Sequence, residues 1–209
     1  MNVEKTILLT RHGSTPYNDK DLLQGAIDIP LSQKGEKQGE RLAERLKEES
    51  FDMIFHSPLI RARQTAEIIN QYHNKPMTQI DSFVEMAMGH WEGDNFFKVI
   101  EENPGIYQKW VMNPEAGLPG GESFGEVFRR VKPGVEEILN SPHSRVLVVA
   151  HAIVNRAFLG QLLGMKLITA RRFRMKNCAL SKLEVYGKGE GQFIAVDFWN
   201  DFSHMTDLL

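Results

Sequence analysis

Short runs of apolar residues alternate along the chain with longer segments in which apolar residues recur every three or four positions. Three of the runs, Thr6–Thr10, Phe51–Phe55 and Arg145–Ala150, are typical of strands buried on both faces of a parallel sheet. Two further strand candidates, Ala179–Tyr186 and Gln192–Phe198, lie near the end of the chain. Strands that alternate with helices predict an α/β fold, namely a three-layer α/β/α sandwich with a mostly parallel central sheet.

Capping signals indicate where the first two helices begin. Ser32 can cap a helix that runs to about Glu49, and charged pairs on one side of this helix predict a solvated face. Ser57 and Pro58 predict the start of a second helix, with Ser57 as the N-cap and Pro58 at the first helical position. We expect this second helix to run to about Tyr72.

The remaining helices are predicted from one capping box and from shorter apolar patterns. Ser123 and Glu126 form a capping-box pattern at the start of a helix that reaches about Leu139, and Pro133 predicts a kink within it. Three more helices are expected, at Asn95–Glu102, Tyr107–Met112 and Ile153–Leu163.

The composition narrows the class of protein. The chain has 209 residues, 42% of them hydrophobic, which is enough to bury the core of one domain over residues 1–209. A net charge of −2 argues against a general nucleic-acid binder, which would carry a strong positive charge. Cys178 is the single cysteine, so no internal disulfide can form. With no signal peptide and no run of 18 apolar residues, the sequence predicts a cytoplasmic protein without a membrane partner.

Basic side chains follow three of the predicted strands at the points where those strands end. Arg11 and His12 follow the first strand, and His151 directly follows the strand at residues 145–150. Arg61 lies in the first turn of the helix after the second strand, where its side chain leans back toward the strand end. Because ligands of α/β sheets bind at the carboxyl ends of the strands, we expect these four side chains to converge.

Two arginines and two histidines at one place are suited to a phosphoryl group. The planar fork of an arginine matches pairs of phosphate oxygens, and neighbouring arginines disfavour the imidazolium form of a histidine. A neutral imidazole nitrogen can attack phosphorus, and the departing alkoxide then needs an acid to protonate it. The local pattern offers three acids and leaves the choice among them open: Glu85, Glu92 and Asp94.

A metal site is the main chemical alternative. His12, His151, Glu85 and aspartates could in principle bind zinc, but the chain has no H-x-x-x-H, H-x-H or D-x-H spacing. Arginines beside both strands would also repel a cation. We therefore expect no metal and no cofactor.

Several motifs in order resemble the histidine phosphatase superfamily, which contains cofactor-dependent phosphoglycerate mutases and many small phosphatases. The motifs are RHGSTPYN at 11–18, QGAIDIPLSQKGEKQG at 24–39, SPLIRARQTA at 57–66, VEMAMGHWEG at 84–93, PGGESF at 119–124 and VVAHAIVNRAFL at 148–159. The resemblance therefore reaches to at least Leu163, and its implied fold is that of phosphoglycerate mutase. It implies that His12 is the phosphorylated nucleophile and Glu85 the proton donor, while the phosphoryl group is held by Arg11, Arg61 and His151.

The resemblance also implies substrate-binding positions. Those on the loop after the first strand are Thr15, Asn18, Gln24 and Gly25. Ala152 stands where the family usually has glycine, and its backbone N–H remains available. The tail FWNDFSHM is similar to that of several phosphatases in the group, so we predict that His204 folds back and contacts the substrate. Arg156 is expected to brace the fold.

The expected reaction is hydrolysis of a small-molecule phosphomonoester. The segment Met86–Leu118 is short beside the long insertion of the mutases, which favours a member of the small phosphatase branch. A phosphoglycerate mutase that depends on a bisphosphate primer, or a regulatory binding protein on this scaffold, remains an alternative. The basic run Arg171–Lys176 is expected to form a solvated or phosphate-steering surface and not a nucleic-acid site. An exposed sheet edge could pair two copies in a homodimer.

Overall fold

A computed structural model describes residues 2–187 and 189–208 of the chain, and its centre is a single six-stranded sheet. The strands are β1 (Val3–Arg11), β2 (Met53–His56), β3 (Met77–Gln79), β4 (Arg145–Ala150), β5 (Leu180–Tyr186) and β6 (Phe193–Asp201). Their order across the sheet is β3-β2-β4-β1-β5-β6. The first four strands run parallel to one another, and β5 and β6 are antiparallel to their neighbours. The predicted α/β fold with a mostly parallel sheet is confirmed.

Helices cover both faces of the sheet. They are α1 (Gln33–Leu46), α2 (Ile60–Asn70), α3 (Phe96–Glu102), α4 (Pro104–Met112), α5 (Phe124–Asn140), α6 (Ala152–Leu162) and α7 (Leu167–Ala170). Helices α1 and α2 share one buried core with the sheet, and α5 and α6 share the other. None of the described helices is long and apolar enough to span a membrane.

The central strands are buried on both faces, which explains their continuous apolar runs. In β4, Val146 and Val148 pack toward the core under α5 and α6, whereas Leu147 and Val149 pack toward the core under α1 and α2. Along this strand all four side chains are fully buried. Because β4 pairs in parallel with both β1 and β2, the carboxyl ends of the three strands lie side by side.

One expectation about the helices needs correction. Helix α2 begins at Ile60, with Leu59 rather than Ser57 at the N-cap. Two residues separate Ser57 from the helix, and its hydroxyl faces the ring of His151 instead. The capping box of Ser123 is present as predicted, and α5 includes Pro133 and runs on to Asn140.

The charged face of α1 is covered in part by the end of the chain. Arg45 pairs with Asp201 at 2.5 Å, and Arg41 pairs with Asp207 at 3.2 Å. Between these two contacts, Met205 is completely buried against the core beneath α1. The predicted solvated face is confirmed for most of its charged residues, which are exposed, and only Arg45 is half-buried where residues 203–208 dock.

Candidate active site

The loop after β1 holds His12 in a defined orientation. The His12 backbone N–H donates to the carbonyl of Ala150 at 3.0 Å, and its side chain is only 2% exposed. Its Nδ1 lies 2.7 Å from the carbonyl oxygen of Gly13, which can only accept a hydrogen bond. The proton of a neutral ring therefore sits on Nδ1, and Nε2 carries a free lone pair. Burial, together with Arg61 and Arg11, holds the pKa of His12 well below its usual range, so the ring is neutral.

His151, the first residue after β4, stands beside His12. The centroids of the two rings are 5.1 Å apart. The His151 Nε2 lies 2.7 Å from the hydroxyl of Ser57, while Nδ1 is buried without a partner among the described residues. Burial lowers the pKa of His151 well below its usual range, as do Arg61 and the neighbouring His12. Both histidines are thus neutral at the carboxyl edge of the sheet.

Arg61 is completely buried in the first turn of α2 and points back to the strand ends. Its guanidinium donates to the carbonyl oxygens of Ile27 at 2.7 Å and Gly25 at 2.9 Å. In the amide orientation that satisfies both groups, Gln24 accepts from Arg61 Nη1 at 2.8 Å. These contacts hold the guanidinium rigidly.

Arg11, the last residue of β1, is the second arginine of the site. Its Nη1 donates to the carbonyl of Met175 at 3.2 Å. Burial lowers the pKa values of Arg11 and Arg61 to about 10, and Glu85 opposes this effect in both cases. Both arginines therefore stay cationic at neutral pH.

Among the three candidate acids, Glu85 is the one that interacts with both Arg11 and Arg61. It is 8% exposed, and its two carboxyl oxygens accept from the backbone N–H of Met86 at 2.9 Å and of Ile153 at 3.3 Å. Ile153 is in the first turn of α6, directly after His151 and Ala152. Glu92 has a different task, since its Oε1 accepts from the backbone N–H groups of Ala26 and Met88 at 3.0 Å.

The substrate-loop residues form a connected network next to the cage. The Thr15 N–H donates to Asn18 Oδ1 at 3.2 Å, and the Asn18 N–H donates back to the Thr15 hydroxyl at 3.2 Å. The Thr15 hydroxyl also contacts the side chain of Gln24. Gly25 has a φ of 55°, and its carbonyl oxygen accepts a hydrogen bond from Arg61. Ala152 begins α6. All five positions remain predicted substrate contacts.

His204 lies in the docked segment at residues 203–208. Its Nε2 is 3.0 Å from the carbonyl oxygen of Cys178, and its Nδ1 is 3.2 Å from Arg45 Nη1. Both ring nitrogens are used within the protein, which argues against the predicted contact between His204 and a substrate.

Three residues that sequence reasoning did not assign to the site support it. Asn177 Nδ2 donates to the His12 carbonyl at 2.9 Å and to Asn18 Oδ1 at 3.3 Å. Ser57 orients His151, and its place in the SPLIRARQTA motif was the available signal. Arg130 donates to the Glu85 carbonyl at 3.1 Å, and no local pattern indicated this contact.

The donor set of this site suits an anion. Among the described residues, no three histidine, cysteine, aspartate or glutamate side chains are grouped so that they could hold a metal ion. Two cationic arginines and two neutral histidines instead lie together, with the Glu85 carboxylate beside both arginines. An α/β sheet with such a cage at its carboxyl edge defines a protein that transfers phosphoryl groups.

Comparison with known families assigns the chain more closely. The sequence model of the histidine phosphatase superfamily (branch 1) matches residues 7–201, so the protein belongs to this superfamily. The predicted membership and enzyme class, a phosphoric monoester hydrolase, are confirmed.

Individual relatives are similar over nearly their whole length. The probable phosphoglycerate mutase GpmB of Salmonella choleraesuis is 34% identical over 205 residues, which is 95% of this chain and 94% of that protein. Among solved structures, the alpha-ribazole phosphatase of Shigella flexneri is 26% identical with a TM-score of 0.82, covering 94% of this chain and 96% of that one. A mycobacterial glucosyl-3-phosphoglycerate phosphatase is 26% identical with a TM-score of 0.84, covering 94% and 99%.

Proposed function

We propose that the protein is a metal-independent phosphatase that hydrolyses a small-molecule phosphomonoester through a phosphohistidine intermediate on His12. The observation that carries this proposal is the state of the His12 ring. Its Nδ1 is committed to the Gly13 carbonyl, and its neutral Nε2 is left to attack within a cage of arginines.

In the first half of the reaction, His12 Nε2 attacks phosphorus and the ester P–O bond breaks. Arg11 and Arg61 neutralise the charge on the phosphoryl oxygens. The unpartnered Nδ1 of His151 donates to another of these oxygens, since the Ser57 hydroxyl occupies Nε2. Protonated Glu85 gives its proton to the departing alkoxide, and a neutral alcohol leaves.

In the second half, water attacks the phosphohistidine. The Glu85 carboxylate takes a proton from this water as the N–P bond breaks, which restores protonated Glu85 and neutral His12 and releases inorganic phosphate. Enzymes lower the barriers of such reactions by about 8–23 kcal/mol, and preorganised donors are the main source of this effect. The buried, hydrogen-bonded Arg61 has the rigidity that such preorganisation requires.

Phosphoryl transfer between two positions of a substrate is the second candidate function. It is supported by the similarity to a protein named as a probable phosphoglycerate mutase. The short segment between Glu85 and Ser123, which contains α3 and α4, favours hydrolysis because little chain is available to exclude water.

We also propose that the protein acts in the cytoplasm on a free metabolite, without nucleic acid, membrane or cofactor, and that two copies could pair as a homodimer.

Release of inorganic phosphate from a panel of phosphomonoesters, with a chelator present, tests this function. We expect the wild type to turn over and to form an acid-labile phosphoenzyme, and His12→Ala to do neither. His143→Ala, which changes a histidine before β4 at the opposite edge of the sheet, is the matched control and is expected to remain active. If the wild type releases phosphate only when a bisphosphate primer and an acceptor are supplied, the protein is a mutase. If it releases none and transfers none, the site is a binding site.

A further inference from the structure

The basic run Arg171–Lys176 has no part in the reaction described above. It carries four basic side chains and no acidic one, although the whole protein has a net charge of −2. In residues 2–187 and 189–208, none of the four forms an ion pair with a carboxylate, and neither does Arg156 on α6. Unpaired positive charge gathered on one wall of an active site indicates an anionic ligand.

Two side chains of the run are held by aromatic rings. The Arg171 guanidinium lies 4.1 Å from the centroid of the Trp110 ring and donates to the Trp110 carbonyl. Lys176 Nζ lies 4.2 Å from the centroid of the Phe202 ring. These contacts fix the two ends of the run against the protein, and the exposed Arg174 between them has no hydrogen-bond partner for its guanidinium among the described residues.

Arg156 is placed beside the general acid. Side chains of a helix lean toward its N-terminus, and three residues before Arg156 the backbone of Ile153 donates to Glu85 Oε2 at 3.3 Å. The loop that carries Arg174 also lies next to the site, because the carbonyl of the neighbouring Met175 accepts from Arg11 Nη1 at 3.2 Å.

The guanidinium of Arg156 has no hydrogen bond to any described residue. Of its three nitrogens, only Nε is sealed from solvent without a partner. The helix with Arg156 and the loop with Arg174 touch through their neighbouring residues, since Asn155 Nδ2 lies 3.1 Å from Met175 Sδ. In agreement with this contact, burial lowers the pKa of Arg156, Glu85 raises it, and Arg174 lowers it. A half-buried arginine without a partner is costly unless a ligand supplies one.

We propose that Arg156 and Arg174 form a second anion subsite, which binds a negatively charged group on the leaving alcohol. This inference rests on the proposed function, since Glu85 marks the side from which the alcohol departs. The shared chemistry of the ligand is an oxyanion, either a carboxylate or a second phosphate, one alcohol chain away from the scissile ester. Bidentate hydrogen bonds from a guanidinium suit both groups.

Three phosphate esters on one three-carbon skeleton test the subsite. Glycerol 3-phosphate ends in a neutral hydroxymethyl group, 3-phosphoglycerate carries a carboxylate at that position, and glycerol 1,3-bisphosphate carries a second phosphate. We expect kcat/KM to be at least about tenfold higher for one of the charged esters, and the preferred one identifies the anion. Arg156→Gln and Arg174→Gln should reduce this preference to about twofold or less. Arg63→Gln, which removes one charge from an exposed pair with Glu67 on α2, should retain it.

Binding to the His12→Ala protein gives a measurement that does not depend on turnover. Calorimetric titration should show the same order of affinity among the three esters, and Arg174→Gln in this background should remove it. Because Arg174 is exposed, this variant tests the subsite even if Arg156→Gln fails to fold. Equal kcat/KM and equal affinity for neutral and charged esters would overturn the subsite while leaving the phosphatase intact. If the charged esters bind more tightly than the neutral one but no phosphate is released, the proposed phosphatase activity is wrong and the subsite is supported.

Discussion

Each histidine of the cage is oriented by one neighbour. The Gly13 carbonyl holds the proton of His12 on Nδ1, and the Ser57 hydroxyl occupies Nε2 of His151. A neutral imidazole has one donor and one acceptor nitrogen, so the wrong tautomer would turn an attacking lone pair into an N–H group. The backbone carbonyl cannot be substituted, whereas the serine can, and Ser57 is therefore the residue at which the orientation of a cage histidine can be tested.

Ser57→Ala should lower kcat about tenfold with little change in KM. The lost hydrogen bond is worth about 1.4 kcal/mol, and it orients His151 toward the transition state more than toward the bound substrate. The pH dependence of kcat should shift as well, because Nε2 of His151 loses its hydrogen bond to the hydroxyl. Ser181→Ala is the matched control: this serine is also fully buried and accepts from the Asn200 backbone at 2.9 Å. Equal kcat in the two variants would contradict the role of Ser57.

At the scale of elements, α1 shapes the loop that carries the nucleophile. The Ser14 carbonyl accepts from the Ser32 N–H at 2.9 Å, and the Ser14 N–H donates to Gln38 Oε1 at 2.9 Å. Gly35 lies so close that a Cβ atom there would overlap the backbone of Ser14. Helix and loop can approach to this distance only because Gly35 has no side chain.

Gly35→Ala should therefore lower the free energy of unfolding by more than about 2 kcal/mol and reduce activity, since the loop with His12 must move. Gly105→Ala provides the control, because Gly105 lies in α4 and a Cβ atom added there would meet no other atom within 4 Å. That variant should be neutral or stabilise the protein by up to about 1 kcal/mol. Urea unfolding of both variants measures this difference. Equal stability of the two variants would mean that the loop can move to accommodate the Cβ atom without loss of stability.

The docking of residues 203–208 on α1 is a second relation between distant elements. Met205 contributes a completely buried side chain, and Gln38, which holds the nucleophile loop, also donates to the Leu208 carbonyl at 3.1 Å. Residues 203–208 are thus joined to the site through α1.

Met205→Ala should cost about 2–5 kcal/mol of stability, the usual range for a truncated core methionine. The same substitution at Met112, which is 70% exposed, should change stability by no more than about 0.5 kcal/mol. We expect kcat to fall in Met205→Ala while KM stays constant. A raised KM with unchanged kcat would instead favour a tail that touches the substrate.

For the molecule as a whole, the sequence predicted features that depend on neighbouring residues, and it did not predict contacts between residues far apart in the chain. His12, Ser57 and His151 each follow a buried strand directly. The apolar runs that predict these strands therefore also indicated where the site lies. The brace from Arg130 to Glu85 spans 45 residues, and the pair of Arg45 with Asp201 spans 156. Local periodicity carries no information about such partners. Strand β3 was missed because its three residues, none fully buried, give almost no pattern.

The two buried neutral histidines should also make the stability of the whole protein depend on pH. The folded pKa values of His12 and His151 lie well below 6.5, mainly because of burial, so the folded state binds fewer protons than the unfolded state under mildly acidic conditions. The free energy of unfolding therefore falls as the pH drops below about 6.5, by up to about 1.4 kcal/mol per pH unit for each histidine. Burial lowers the pKa values of His73 and His204 too, and both add in the same direction.

The contribution of one cage histidine can be isolated by His151→Gln. Urea unfolding between pH 5 and 7 should show a slope that is shallower than that of the wild type by up to about 1.4 kcal/mol per pH unit, whatever the absolute stability of the variant. The window avoids carboxylates such as Asp201, whose pKa of about 2 makes it lose its stabilising charge only at lower pH. Identical slopes in the two proteins would mean that His151 takes up a proton in the folded state. The cage would then hold an imidazolium beside two arginines, and the neutral-histidine mechanism would have to be abandoned.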